Sequence, residues 1–220
     1  MNIKMSFEHT IKEFMKDLPS ISGRISNEAA LQFELAYCLR KMMGQNSEYT
    51  LFFEKNAYQL CNETKGVLRK TEIDISIIQK KITNDIEIDD RMCAIELKFP
   101  RNKRYPEEMF MFVEDVKFLE QLICKCKFRE AYSIVLVDDL LFTDKSESKR
   151  ILRKGIYAPF RNHEKFEQEY EPPTKSKSKG TIKLSRSYEI TWESLGNNLW
   201  YYILAIHKAP IFARCNKEDI

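Results

Sequence analysis

The sequence predicts an α/β fold: a mixed central sheet flanked by helices, its elements running helix, strand, strand, strand, helix, strand. Three observations carry that reading. Glu72–Ile78 and Met92–Lys98 are apolar-rich, strand-like runs separated by a polar segment. A long stretch with apolar residues at helical spacing follows the second run. After it, Ala131–Val137 is almost wholly apolar, as a strand covered on both faces should be. A helix between two such strands makes them parallel neighbours.

Taken from the start, residues 6–18 predict a short amphipathic helix. Phe7, Ile11, Phe14, Met15 and Leu18 form its stripe, and it stops before Pro19. A second helix follows an N-cap at Ser26 or Asn27 and runs to about Met43, before Gly44. Leu31, Leu35, Cys38, Leu39 and Met42 make its core stripe, with Glu28 close to the stripe and Glu34 at its edge. Tyr49–Ala57 reads as the first strand, followed by an irregular stretch through Gly66. In Glu72–Ile78, alternation sends Ile73, Ile75 and Ile77 to one face and Asp74 to the other. The polar segment Gln79–Arg91 holds a turn near Asn84-Asp85, and a hairpin turning there sets Asp74 opposite Glu96. Glu96 and Lys98 are two apart and point the same way. Phe99-Pro100 ends that strand, since proline has no N–H for a ladder.

Pro106 suits the first turn of the next helix, which Glu107 and Glu108 open and Lys125 and Lys127 close, in accord with the helix dipole. Met109, Phe112, Val113, Val116, Leu119, Ile123 and Cys126 form its buried face. Asp115, Lys117 and Gln121 are polar positions able to approach a site, though such residues are more often simply exposed. Beyond the apolar strand lie a Lys/Glu/Ser-rich loop at Thr143–Lys149 and a short strand at Gly155–Ala158. Residues 161–180 are the polar low point of the chain and predict a mobile loop, with Pro172-Pro173 and the alternating Lys175, Lys177 and Lys179. Thr181–Trp192 returns to strand character, and Leu199–Ile206 is a last apolar segment, strand or short helix. No repeat or linker divides the chain, so residues 1–220 read as a single domain.

Composition narrows the function classes. Hydrophobic content of 43% with 31% charged residues is that of an ordinary soluble domain. A formal charge of +3 is too nearly balanced to declare a nucleic-acid binder, so basic surface must come from clusters such as Arg101, Lys103 and Arg104. The six cysteines form no regular framework and lack zinc-site spacing. They read as reduced, mostly buried thiols of a cytoplasmic protein. No apolar run reaches membrane-spanning length, and the charged N-terminus is no signal peptide. His9, His163 and His207 lie far apart, and neither a phosphate-cradling glycine loop nor a serine nucleophile motif is present. That leaves the strand charges. A Glu-x-Lys on its own is usually a solvated cross-strand pair of little energetic worth. Here Asp74, Glu96 and Lys98 converge on a sheet that is otherwise apolar, where burying charge is costly without a purpose.

With this order of elements the chain resembles the PD-(D/E)xK, or restriction-endonuclease-like, nuclease superfamily over roughly residues 26–139. The match lies in Asp74, in Glu96 and Lys98 within Ile95-Glu96-Leu97-Lys98-Phe99-Pro100-Arg101-Asn102, and in a helical Glu28 or Glu34. The stretches Asn27–Leu35 and Asp115–Leu122 are similar to one group of bacterial members. Asp74 follows Ile73 instead of the eponymous proline, a common departure that removes no ligand. The resemblance implies an α-β-β-β-α-β core and hydrolysis of DNA phosphodiester bonds with Mg2+, or with Mn2+. It implies Asp74 and Glu96 as metal ligands, the Leu97 carbonyl as a third, Lys98 beside the attacking water, and the helical glutamate orienting a ligand. Hard carboxylate oxygens suit Mg2+, which would polarise the scissile phosphate. Arg101, Lys103, Arg104, Lys175, Lys177 and Lys179 are the expected DNA contacts. Double-strand cleavage would call for two sites, which a homodimer would supply. The alternative is a non-catalytic nucleic-acid-binding or interaction module on the same scaffold.

Overall fold

The computed structural model describes residues 6–44, 48–61, 66–83, 86–147, 152–166, 169–173 and 180–207. Its elements open with helices α1 (Phe7–Ile21) and α2 (Glu28–Met43), strand β1 (Tyr49–Asn56) and the short α3 (Ala57–Cys61). Strands β2 (Glu72–Thr83) and β3 (Ile86–Lys98) follow, then α4 (Tyr105–Cys124) and β4 (Glu130–Val137). The rest comprises α5 (Ala158–Arg161), β5 (Glu169–Tyr170), β6 (Ile182–Lys183), β7 (Glu193–Gly196) and β8 (Leu199–His207). Six strands form one mixed sheet in the order β1-β2-β3-β4-β8-β7, and β5 pairs with β6 apart from it. Within the large sheet β3 and β4 are parallel, joined by α4 as the crossover, and the other pairs are antiparallel. Helices α1 and α2 cover one face, where Ile11, Leu31 and Leu35 meet Ile75, Ile95 and Leu97. Helix α4 covers the other, with Phe112, Val116 and Leu119 against Ala94, Ala131 and Val135.

Local chemistry fixes the ends of α2. The Asn27 side chain accepts from the Ala30 N–H at 2.8 Å, and Gly44, at φ 65°, stops the helix. Helix α1 runs on past its predicted stop: Pro19 lies inside the last turn. There the missing N–H removes one hydrogen bond, and burial of Leu18 outweighs it.

The hairpin keeps the predicted register at its base, with Ile75 opposite Ile95 and Ile77 opposite Cys93. A bulge between Ile77 and Ile78 shifts the register beyond that point. The polar segment Gln79–Arg91 is mostly strand, because its charges pair across the ladder, while residues 84–85 lie outside the described set. Ile75 and Ile77 share one face as expected, packed against α1 and α2, whereas Ile73, expected beside them, joins the α4 layer.

Four further expectations are corrected. The stretch after β1 opens with α3, because Asn56 Oδ1 accepts from the N–H groups of Tyr58 and Gln59. Gly155–Ala158 is a 3-10 turn leading into α5, with proline in the first helical turn, and not a strand. Of Thr181–Trp192 only β6 is strand, whereas the last apolar segment is the strand β8. The region 161–180 is not wholly a loose loop. Phe166 and Tyr170 are buried, and Phe166 packs edge-on against Phe160 and Tyr170 at 5.3 and 5.9 Å. These two aromatics sit amid a polar composition that masks them.

Cys61 and Cys126 are joined by a disulfide between α3 and the end of α4, so the reduced-thiol reading fails at these two positions. They stand 65 positions apart in the sequence, and only the tertiary fold brings them together. Cys38 and Cys93 carry free thiols. The inference to a reducing, cytoplasmic setting loses its footing with that bond. Among the described residues no helix is long and apolar enough to cross a membrane.

Candidate active site

The base of the hairpin brings Asp74 and Glu96 side by side. Asp74 donates its N–H to Glu96 Oε1 at 3.3 Å, and Asp74 Oδ2 accepts from the Leu97 N–H at 2.6 Å. Lys98, two residues beyond Glu96, donates to its neighbour's carbonyl, Leu97 O, at 2.8 Å. It also donates to Glu28 Oε1 at 3.2 Å, while Glu28 Oε2 accepts from the Phe99 N–H at 3.1 Å. Glu28 opens α2, where its charge suits the positive end of the helix. Of the two helical candidates it is therefore Glu28 that reaches the strand residues. Glu34 lies on another side of α2 and takes part in none of these contacts. The helix's other link to the site is Gln32, which donates to Asp74 O at 2.6 Å and to Glu54 Oε1 at 2.8 Å.

Two more residues complete the cluster: Asp115, which the sequence marks only as a polar position able to approach a site, and Lys70, which it does not single out. Asp115 comes from the buried face of α4, and Lys70 from the irregular segment ahead of β2. Lys70 Nζ bonds to Glu96 Oε2 and to Asp115 Oδ1, the latter at 2.8 Å. Asp115 Oδ2 lies 3.6 Å from Lys98 Nζ and is buried without a hydrogen-bond partner. Asp115 thus sits between both lysines. A signal for it existed: it falls three residues after Phe112 and four before Leu119, on the apolar stripe of α4. Lys70 has no comparable signal, since it precedes any periodic pattern.

Of the cluster, Lys70, Asp74, Lys98 and Asp115 border a cleft of about 820 Å3, lined also by Glu54 and Arg69 among others, with Glu96 set behind them. Arg69 braces its wall, reaching Glu114 at 3.1 Å and Gly180 O at 3.0 Å. Four carboxylates (Glu28, Asp74, Glu96, Asp115) against two ammoniums (Lys70, Lys98) give the cluster a formal charge two below neutral. Burial pushes the Asp74 carboxyl up to about 6, against the pull of Lys98 and Lys70. Burial and then the Asp74 charge raise Glu96 well above the usual range. Burial disfavours the charge on both lysines, but the carboxylates, Asp115 foremost, more than offset it and hold both above their ordinary value.

No protein family, curated protein or solved structure matches the chain. The site must be judged on its own chemistry.

Among the described residues, no three His, Cys, Asp or Glu side chains converge as a ready metal-binding group. The reason is visible: Lys70 lies between Glu96 and Asp115, and a backbone N–H already engages Asp74 Oδ2. The oxygens gathered here are of the type that hard divalent cations prefer, and one of them, Asp115 Oδ2, is buried without a hydrogen bond, its nearest cation being Lys98 at 3.6 Å.

The basic loop stands apart from this cleft. Arg101, Lys103 and Arg104 are exposed. Arg101 pairs with Asp138 at 2.6 Å and lies over the Phe99 ring, and Arg104 reaches Glu108 at 3.9 Å. Arg101 and Lys103 line a second concavity at the ends of β3 and β4, with Asp138 and Asp139, and are not among the residues that line the acidic cleft. Lys175, Lys177 and Lys179 lie outside the described residues.

Proposed function

We propose that the chain is a metal-dependent nuclease with a restriction-endonuclease-like core, hydrolysing DNA phosphodiester bonds with Mg2+ or Mn2+. One observation carries the reading: Asp74, Glu96 and Lys98 from one hairpin meet Glu28 from a helix N-terminus in a cluster that is two charges short of neutral. The order α2, β1, β2, β3, α4, β4 supports the core, with α3 as a one-turn addition between β1 and β2.

Asp74 and Glu96 are the residues to hold the ion, with the Leu97 carbonyl beside them. When bound, the metal would supply charge stabilisation to the phosphate in the transition state. Lys98 is fixed by Glu28 and by the Leu97 carbonyl, so its ammonium is presented to the cleft in one orientation. There it can hold an attacking water by hydrogen bonding. Glu28 acts on Lys98 and on the Phe99 N–H, so its part is to position the lysine. Arg101, Lys103 and Arg104 are available to phosphates outside the cleft, Arg101 only by exchanging Asp138 for the ligand.

The test is cleavage of supercoiled, linear duplex and single-stranded DNA in Mg2+ and in Mn2+. Nicking or cutting by the wild-type chain should disappear in Asp74→Ala, Glu96→Ala and Lys98→Ala, each checked for a native circular dichroism spectrum. Cleavage that survives in folded Asp74→Ala or Lys98→Ala removes the proposal, as does a wild-type chain inert on every substrate.

A further inference from the structure

We propose that Lys70 is a built-in counter-cation: its ammonium fills the cation position between Glu96 and Asp115, and a divalent ion binds only as that ammonium withdraws. The inference rests on the metal-dependent reading of the site and concerns its regulation. Lys70 Nζ touches both carboxylates at once, and each of them is essentially sealed from solvent. Two buried acids left facing each other would repel unless one kept its proton or a positive charge stood between them. Lys70 supplies that charge.

The two lysines differ in their freedom. Lys98 belongs to β3 and is tied to Glu28 and to the Leu97 carbonyl. Lys70 lies in the segment before β2, where no ladder fixes the backbone, and its side chain remains 24% exposed along the cleft wall. The exposed part of the side chain gives onto the cleft, while the ammonium rests 5.7 Å from the buried Phe118 ring, a cation–π contact of the resting position. Asp115 Oδ2, buried and without a hydrogen-bond partner, is a donor that a metal ion could use and that Lys70 does not. An ion arriving beside Lys70 would meet an ammonium within contact distance of the same oxygens. Entry therefore competes with Lys70 for Glu96 and Asp115. Removing the lysine takes the cluster from two to three charges below neutral and abolishes the competition.

The experiment is calorimetric titration of Mn2+ into the full chain without DNA, as wild type, Lys70→Met, Lys70→Arg and the Asp74→Ala/Glu96→Ala double variant. Lys70→Met should bind Mn2+ more tightly, by about tenfold or more for one lost neighbouring charge. Lys70→Arg, which keeps the charge, should stay within a few-fold of wild type, and the double variant should lose binding. Equal or weaker binding by folded Lys70→Met overturns the role of Lys70, while loss in the double variant alone leaves the metal site standing. Absence of binding by all four chains removes the metal reading and this inference together.

A measurement on the unaltered protein covers the case in which Lys70→Met fails to fold. Amine acetylation followed by peptide mass spectrometry should show Lys70 modified faster in saturating Mn2+ than in its absence. An unchanged rate in a chain that binds Mn2+ overturns the inference.

Discussion

The β2–β3 hairpin holds two sets of charges, one at each end, and they behave differently. At the tip, Lys80 pairs with Glu87, and Lys81 with Asp90 at 2.6 Å. The Lys80–Glu87 side chains are 53% and 56% exposed. At the base, Glu96 is 0% exposed and Asp115 3%, and Lys70 and Lys98 are bound among them. Both sets are carboxylates and ammoniums in ion-pair contact, although the base draws Asp115 from α4 and Lys70 from the segment ahead of β2. Depth separates them: water screens the tip, whereas at the base each charge needs its partners to be tolerable. A Glu-x-Lys motif is thus ordinary or consequential according to where the strand carries it.

The largest expected effect is at the base. Asp115→Ala takes a buried partner from both lysines, leaving Lys70 with Glu96 alone and Lys98 with the part-exposed Glu28, and should cost about 3–5 kcal/mol in urea unfolding. A loss below about 1 kcal/mol would make the base no different from an exposed pair. Next comes the middle of the hairpin, where Arg91 of β3 reaches Leu60 O and Cys126 O, on either side of the Cys61–Cys126 bond. Cys61→Ser should lower stability by about 2–4 kcal/mol, and a thiol reductant should lower the wild type similarly. A reductant that leaves the wild-type melting temperature unchanged would show these cysteines to be unbonded.

How much of this was legible follows from how local each feature is. The base register and the meeting of Asp74, Glu96 and Lys98 follow from a period of two over a few residues, so the sequence displays them. The choice of Glu28 over Glu34 depends on how α2 docks at the end of β3, which helical spacing alone does not specify. Asp115 was half legible: its position on the stripe of α4 places it inside, but nothing local names Lys70 as its partner. The Cys61–Cys126 bond joins segments whose meeting only the tertiary fold decides. Phe166 and Tyr170 were hidden for the reverse reason, two buried rings in a segment otherwise polar.

Acid titration offers a gentler probe of the same contrast. The folded Asp74 carboxyl sits near 6, raised by burial, whereas an unfolded aspartate titrates near ~3.9. The folded state then holds the proton more tightly, so this group favours folding at low pH and that benefit is lost as pH rises through about 6. In the metal-free protein, Asp74→Asn should flatten the stability profile between about pH 4 and 6. An unaltered slope in the variant would show that Asp74 is no more perturbed than a surface carboxylate.

The smallest effect should be at the tip. Lys80→Ala removes an ammonium that water already surrounds, and Glu87 returns to solvent with little penalty. The expected change is about 0.5 kcal/mol or less, shrinking further in molar salt because screening acts on exposed pairs first. The same salt should leave the Asp115→Ala deficit nearly intact, since the ionic atmosphere screens carboxylates as enclosed as those of Asp115 and Glu96 only weakly. Paired urea titrations at low and high salt therefore separate the two ends directly. If both deficits shrank together, water would be screening the base as it does the tip, and the cluster would lose its standing as a desolvated site.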